Sequence, residues 1–304
     1  MTLIAALLII TSAFFHAGWN LVSKRQNPSL AFFFIAAASG SAVMSPMLFS
    51  QRQILHEFPA MLWLLVALTG MAQAIYLIGL AGAYKRGDIS LAYPLARAIP
   101  VLLIAGISLI LRNGGDIGRL GLLGMGLIVV GCIILPLLSF QSFKLKEYFS
   151  PVYLMALVAA IGTTGYTLLD DQALRLMRET AAVQLENRSL TLLYISFQTT
   201  STAVMVGLIT LLYPPERAQL KKIFADRPML RTGLITGVVI MGTYGLALAA
   251  MAFVTNVSYV AAFRQLSIPI GAVLGMTIQK EPRYLPKLIG IGIISIGLIL
   301  VGFG

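Results

Sequence analysis

The sequence predicts an all-α integral membrane protein whose ten transmembrane helices form two inverted five-helix repeats. Three observations lead to this prediction: an apolar composition, ten apolar runs of spanning length, and an internal likeness between the two halves of the chain. Of the 304 residues, 58% are hydrophobic and only 11% are charged, whereas a soluble domain carries roughly 25% charged residues. A chain with so few charges is expected to have the lipid bilayer as its solvent.

The apolar runs supply the predicted helices in order, because about 20 mostly apolar residues cross a bilayer. The runs are 2–22, 30–49, 59–83, 89–111, 119–138, 151–169, 190–213, 231–253, 257–278 and 287–303. No cation precedes the first run, so we expect a retained helix rather than a cleaved signal. Two connections, 170–188 and 214–229, are long and charged. The first is expected to be either a short amphipathic helix at the interface or a solvated loop.

The distribution of charge indicates how the chain lies in the membrane. The net charge is +11, but the basic residues are scattered between apolar runs, which argues against nucleic acid as a partner. With the N-terminus inside, the inner loops would hold six Lys and Arg residues and the outer loops fourteen. The positive-inside rule therefore favours both termini outside, in a plasma membrane of the bacterial inner-membrane type. The single cysteine, Cys132, has no intrachain partner.

The two halves of the chain resemble each other in order. Tyr76 lies over Tyr244 at an offset of 168 residues, and the glycine pattern of 124–131 matches that of 290–297. Five spans per half is an odd number, so the halves must be inverted relative to each other. We expect repeats at 1–145 and 146–304 within one compact domain. Inverted repeats recur in secondary transporters, whose substrate site lies near the membrane midplane.

Four short motifs, in this order, carry a likeness to a known family. They are "GWN" (18–20), "GDISLAYPLARAIP" (87–100), "NVSYVAAFRQLSIPIGAVLG" (256–275) and "QKE" (279–281). Together they resemble the EamA family of the drug/metabolite transporter superfamily over nearly the whole chain. The resemblance implies export or exchange of metabolites, amino acids or toxic compounds through a central cavity between the halves. The histidine in "HAGWN" and two arginines inside runs depart from the commoner family pattern.

Those arginines, Arg97 and Arg264, are the only Lys or Arg residues in the interior of the apolar runs, since Arg119, Arg231 and Lys287 stand at the first positions of theirs. An arginine at the bilayer centre costs about 2.5–3.5 kcal/mol on insertion scales, so both should face the bundle interior or a wet cavity. A guanidinium presents a planar fork that fits a carboxylate, phosphate or phosphonate. The alternative is that each arginine binds freed backbone carbonyls or an acid such as Asp170. Prolines near both arginines predict kinks.

Aromatic and polar residues on the same predicted faces extend this candidate site. His16, Trp19 and Asn20 form a stripe on the first run, and Tyr166 repeats it on the sixth. Such stripes either line a cavity or hydrogen-bond neighbouring helices, and His16 could also carry a coupling proton. The candidate substrate-binding residues are Arg97, Arg264, Trp19, Asn20, His16, Tyr76, Tyr93, Tyr166, Tyr244 and Gln265.

The acidic residues restrict the function. All eleven are expected in loops or at run ends, which disfavours cation/proton exchange of the kind that needs a buried carboxylate. No metal-ligand spacing, paired intramembrane acids or nucleotide-binding loop occurs, so no enzyme activity, metal or cofactor is expected. We predict a secondary transporter of a small anionic or zwitterionic metabolite, such as an amino acid or organic acid, acting as a monomer or homodimer. The alternatives are a phosphonate or phosphate-ester transporter and a structural membrane protein.

Overall fold

The computed structural model describes residues 2–24, 29–86, 89–110, 117–135, 137, 139–142, 151–180, 185–278, 280 and 282–303. Its helices are α1 (Leu3–Lys24), α2 (Leu30–Ser50), α3 (Ala60–Arg86), α4 (Ile89–Ile110), α5 (Arg119–Ile134), α6 (Pro151–Glu179), α7 (Asn187–Leu212), α8 (Pro214–Ala225), α9 (Arg227–Ala250), α10 (Val257–Phe263), α11 (Ser267–Ile278) and α12 (Leu285–Phe303). No strand occurs within these ranges, which confirms the all-α prediction.

Seven of the described helical segments are long and apolar enough to cross a membrane. They correspond to α2, α3, α6, α7, α9, α12 and the combined segment Val257–Leu274. Shorter apolar helical segments, Leu3–Trp19, Arg97–Ile110 and Arg119–Ile134, occupy the other three predicted runs. Large apolar side chains are exposed on the outside of the bundle, among them Phe14, Leu64, Leu123, Leu208 and Ile299. Surfaces of this kind suit lipid, as in an integral membrane protein.

The most extensive helix contacts each join a helix of 1–145 to one of 146–304. These contacts are α3 with α6, α5 with α12, α2 with α7, and α1 with α9. The two segments therefore interleave instead of forming separate bodies. The predicted boundary between residues 145 and 146 lies outside the described residues.

Glycines bring α3 and α6 into backbone contact. A Cβ on Gly79 of α3 would overlap the backbone of Ala159 in α6, and one on Gly162 would overlap the backbone of Tyr76. Residue numbers rise along one helix as they fall along the other, so α3 and α6 are antiparallel. Small residues allow this close approach, which stabilises helix association in lipid through packing.

The two charged connections differ from each other. Helix α6 continues from Pro151 to Glu179, so the start of 170–188 is neither a separate interfacial helix nor a solvated loop. The helix can continue because buried partners satisfy its acids, as described below. The second connection contains α8, which has a proline in its first turn. The first N–H groups of a helix have no acceptor within the helix, so a proline, which lacks an N–H, is tolerated there.

Helix α8 is attached to the first half of the chain through Glu216. This carboxylate is buried, with 5% exposure. Its Oε2 accepts the backbone N–H of Ala31 at the start of α2 at 2.9 Å, and its Oε1 lies 2.7 Å from Nζ of Lys85 near the end of α3. A carboxylate at a helix N-terminus also interacts favourably with the helix dipole.

The ninth apolar run is interrupted in the middle. Helix α10 ends at Phe263, a 3-10 turn occupies Arg264–Leu266, and α11 begins at Ser267. Pro269 lacks the N–H that would bond to the carbonyl of Gln265 four residues earlier, so a continuous α-helix is disfavoured here. The interruption places Arg264 on the turn, inside the bundle.

Candidate functional site

A cavity lies inside the bundle and is lined by residues of α1, α2, α3, α6, α7, α9 and the 3-10 turn. The volume that the centre of a water molecule can occupy inside it is about 90 Å³. Its polar and aromatic lining residues are His16, Trp19, Gln73, Tyr76, Tyr166, Gln198, Thr199, Thr202, Thr243, Tyr244 and Arg264. Six of the ten residues predicted from the sequence are among them: His16, Trp19, Tyr76, Tyr166, Tyr244 and Arg264.

Arg264 supplies the positive charge of the cavity. Its Cζ lies 4.9 Å from the centroid of the Tyr244 ring, which is the geometry of a cation–π contact. Among the described residues, no carboxylate forms an ion pair with its guanidinium. The side chain is half-buried and lines the cavity, so its fork can receive an anionic group.

Three tyrosines form a continuous aromatic wall beside Arg264. The ring centroids of Tyr244 and Tyr166 are 5.3 Å apart, with an interplanar angle of 87°. The centroids of Tyr166 and Tyr76 are 5.8 Å apart at 71°. Both are edge-to-face pairs, which fix the ring orientations. The wall is therefore rigid and can enclose a small ligand without ordering flexible side chains.

His16 and Trp19 line the cavity from α1 and hydrogen-bond each other. Trp19 Nε1 donates to His16 Nδ1 at 3.2 Å, and the two rings meet at 84°. Since Nδ1 accepts this bond, it carries no proton in this arrangement. That His16 carries a coupling proton stays a prediction.

Arg97 does not line the cavity, contrary to expectation. Its side chain is 8% exposed, and its Nη2 donates to the backbone carbonyl of Arg264 at 3.1 Å and to Ser267 Oγ at 2.8 Å. The 3-10 turn frees carbonyls that a continuous helix would occupy, and Arg97 binds one of them. The geometry thus corresponds to the alternative in which the arginine stabilises the backbone, and Arg97 positions Arg264 from α4.

The remaining predicted residues do not add to the cavity. Gln265 is buried, and its Nε2 donates to the carbonyl of Ala261 at 2.7 Å, because the turn directs it away from the lining. The side chains of Asn20 and Tyr93 lie outside the described residues. The structure therefore joins six predicted residues and leaves Arg97 and Gln265 beside the site.

One acid contradicts the expectation that all acids lie in loops or at run ends. Asp170 of α6, which the sequence analysis considered as a possible arginine partner, is 0% exposed and lies next to the cavity. Its Oδ1 accepts the hydroxyls of Thr69 at 2.5 Å and Tyr194 at 2.6 Å, and its Oδ2 accepts the hydroxyl of Tyr244. We call these four residues the Asp170 cluster. The one sequence signal was that Asp170 lies four residues after Tyr166, on the same helix face.

The cavity also contains polar residues of α7 that the sequence analysis did not select. Gln198, Thr199 and Thr202 line it at spacings that share one face of a helix. The hydroxyls of Thr199 and Thr202 donate to backbone carbonyls one turn earlier in the same helix, and Gln198 Nε2 donates to Thr202 Oγ1 at 3.3 Å. These residues add neutral hydrogen-bonding groups to the cavity that contains Arg264.

Comparison with known proteins bears on the fold alone. No protein-family model matches the chain, and no curated protein matches it. A solved structure, described as "Crystal structure of protein", superposes on it with a TM-score of 0.70 at 14% sequence identity. The match covers 98% of this chain and 96% of that one. This helical arrangement over its full length therefore has a counterpart among solved structures.

Proposed function

We propose that the protein is a secondary transporter of the EamA type, which carries a small anionic or zwitterionic metabolite across the plasma membrane. In this proposal ten spans form two inverted five-helix repeats, and alternating access occurs around the cavity. An amino acid or organic acid is the substrate class. The observation that carries the proposal is the cationic Arg264 in an aromatic cavity between helices of the two halves.

Each lining group has a role in this proposal. The Arg264 fork binds the substrate carboxylate with two parallel hydrogen bonds. The tyrosine wall packs against the body of the substrate and excludes water, which strengthens that ion pair. Gln198, Thr199 and Thr202 hydrogen-bond its polar groups. Because residues of both halves line the cavity, movement between the halves would open the site to either side in turn.

Ligand-induced thermal stabilisation of the purified protein tests this function. Amino acids, organic acids, phosphonates and aromatic cations are compared on wild type, Arg264→Gln and Arg231→Gln, a matched control because Arg231 is an exposed arginine of α9. Anions should stabilise wild type and the control. A charge-assisted hydrogen bond contributes about 1.5–3 kcal/mol, so Arg264→Gln should bind about 10- to 100-fold more weakly.

Uptake of the stabilising compound by proteoliposomes then tests transport itself. Transport should occur in wild type and Arg231→Gln and be lost in Arg264→Gln. Stabilisation only by cations, or equal anion binding by Arg264→Gln, would refute the anion site. Stabilisation only by phosphonates would select that substrate class over amino and organic acids.

A further inference from the structure

The Asp170 cluster forms one end of the cavity. In three helices, a cluster residue lies one turn, or about 6 Å, from a lining residue: Thr69 from Gln73, Asp170 from Tyr166, and Tyr194 from Gln198. Helices α3 and α6 are antiparallel, whereas α3 and α7 run the same way, since Trp63 contacts Phe197 and Val66 accepts from Ser201. The three offsets therefore point in the same direction along the bundle.

Among the described residues, Asp170 faces one cation, Arg264, across the phenol ring of Tyr244. Asp170 accepts hydrogen bonds from Tyr194 of α7, Tyr244 of α9 and the neutral Thr69 of α3. Helices α4 and α10 also pack against α6; their described titratable side chains are Arg97, which donates to the 3-10 turn, and Tyr259, which accepts from Gly118. Arg264 on the 3-10 turn acts on it electrostatically and stacks on Tyr244. On its own helix the neighbouring Asp171 is paired with Arg175 at 3.0 Å. Asp170 and Arg264 are thus opposite charges separated by Tyr244.

This arrangement links the two charges energetically. A buried carboxylate costs several kcal/mol unless an opposite charge and hydrogen bonds compensate it. A substrate anion at Arg264 would use the same cation and add a second negative charge nearby. The carboxylate can then avoid the cost by taking up a proton.

We infer that Asp170 is a proton-binding site, and that binding of a proton at Asp170 and of an anion at Arg264 favour each other. The inference rests on the proposed function for the identity of the anion. Because linkage is reciprocal, an anion raises proton affinity by the factor by which a proton raises anion affinity. One anion and one proton would then cross the membrane in the same direction.

Tyr244 provides the route for the proton. Among the described residues, it is the one member of the Asp170 cluster that lines the cavity. In the transfer, the Tyr244 O–H bond breaks as an O–H bond forms on Oδ2 of Asp170, and the phenolate regains a proton from water in the cavity. The net change is one proton moved from the cavity to Asp170, with Tyr244 again neutral.

Infrared difference spectroscopy between acid and alkaline pH tests the proton site without any ligand. Wild type is compared with Asp170→Asn, Arg264→Gln and Asp171→Asn, the control because Asp171 is the adjacent buried acid. The protonated-carboxyl signal of wild type and Asp171→Asn should contain a component that is absent from Asp170→Asn, beside the signal of the exposed acids that all variants share. If Asp170→Asn does not fold, Asp170→Glu assigns the band by moving its frequency. No Asp170-dependent band over the pH range of the folded protein would overturn the inference.

Arg264→Gln tests the linkage because it removes the positive charge that a bound anion would neutralise. At the pH where the wild-type band is half-formed, Arg264→Gln should show a band larger by about half or more, and an equal band would overturn the linkage. Calorimetry of succinate, L-alanine and methylphosphonate in buffers of different ionisation enthalpy should then give one proton taken up per bound probe, and none in Asp170→Asn. Binding without proton uptake overturns the linkage alone. Binding of no probe contradicts the proposed transport function, while the ligand-free spectra still decide the proton site.

Discussion

Two glycines of α5, Gly124 and Gly126, should respond in opposite ways to the same added methyl group. A Cβ on Gly124 would lie 2.5 Å from the carbonyl oxygen of Gly297 in α12 and 2.8 Å from the backbone N of Val301. A Cβ on Gly126 would meet nothing within 4 Å. We therefore expect Gly124→Ala to force α5 and α12 apart and Gly126→Ala to be accommodated.

The size of the loss follows from the overlap. Ordinary contact begins at 3.4 Å, so the two helices must separate by about 0.9 Å. Such a gap loses roughly a quarter to a half of each atom-pair attraction, which is itself about 0.1–0.2 kcal/mol. Over about 50 atom pairs, the number that one buried leucine makes, the loss is about 1–5 kcal/mol, and mid-range values give about 3 kcal/mol. Overpacking of protein cores costs a similar amount.

Unfolding of the purified protein by sodium dodecyl sulfate, followed by circular dichroism, measures this difference. Gly124→Ala should lose about 3 kcal/mol of unfolding free energy, and Gly126→Ala should stay within about 0.5 kcal/mol of wild type. Gly297→Ala, whose Cβ would lie 2.7 Å from the carbonyl oxygen of Gly124, should behave like Gly124→Ala. Equal stability of Gly124→Ala and Gly126→Ala would refute the close contact between α5 and α12.

Three further predictions concern the polar contacts. Arg97→Gln loses two charge-assisted bonds to the 3-10 turn but also removes the cost of burying a guanidinium, so unfolding should become about 2 kcal/mol easier. Arg97→Lys should recover part of the loss, and a wild-type unfolding midpoint for Arg97→Gln would contradict this role. Glu216→Ala leaves the buried Ala31 amide without its acceptor and should cost about 1–3 kcal/mol, whereas Lys85→Ala, at the half-exposed end of the pair, should cost less than about 1 kcal/mol. The same denaturant titration compares the two, and a larger loss for Lys85→Ala would argue against the amide contact. Tyr194→Phe removes one donor to Asp170 and should lower stability by about 1.5–3 kcal/mol; thermal unfolding at wild-type temperature would show that this bond contributes nothing.

The chain's apolar pattern was enough to predict an all-α chain with membrane-spanning helices, but not α8, the continuation of α6 to Glu179 or the 3-10 turn at Arg264–Leu266. The desolvation cost of a cation required Arg264 to face inward, and helical spacing put Tyr166 and His16 on inward faces. The different roles of Arg97 and Arg264 could not be read in the same way. They depend on which carbonyls the interrupted ninth run leaves free, and on α4 lying beside that turn.

Asp170 shows why the rest of the site was hidden in the sequence. It begins a stretch that also holds Asp171, Arg175 and Arg178, and such a density of charge is typical of a water-exposed connection. What buries Asp170 is a set of hydroxyls from three other helices, and no local window contains them. A polar group whose partners are distant in sequence is recognised only after the helices are assembled.

In the proposed transport cycle, the backbone contact between α3 and α6 would be the pivot for movement between the two halves of the chain. Gly79 and Gly162 hold the two helices together too closely for one to slide along the other, and each belongs to a different half of the chain. A rotation of the halves would therefore pivot near Tyr76, and each atom would travel in proportion to its distance from that pivot. The Tyr76–Tyr166 face would stay almost fixed, and parts of each half farther from it would travel farther.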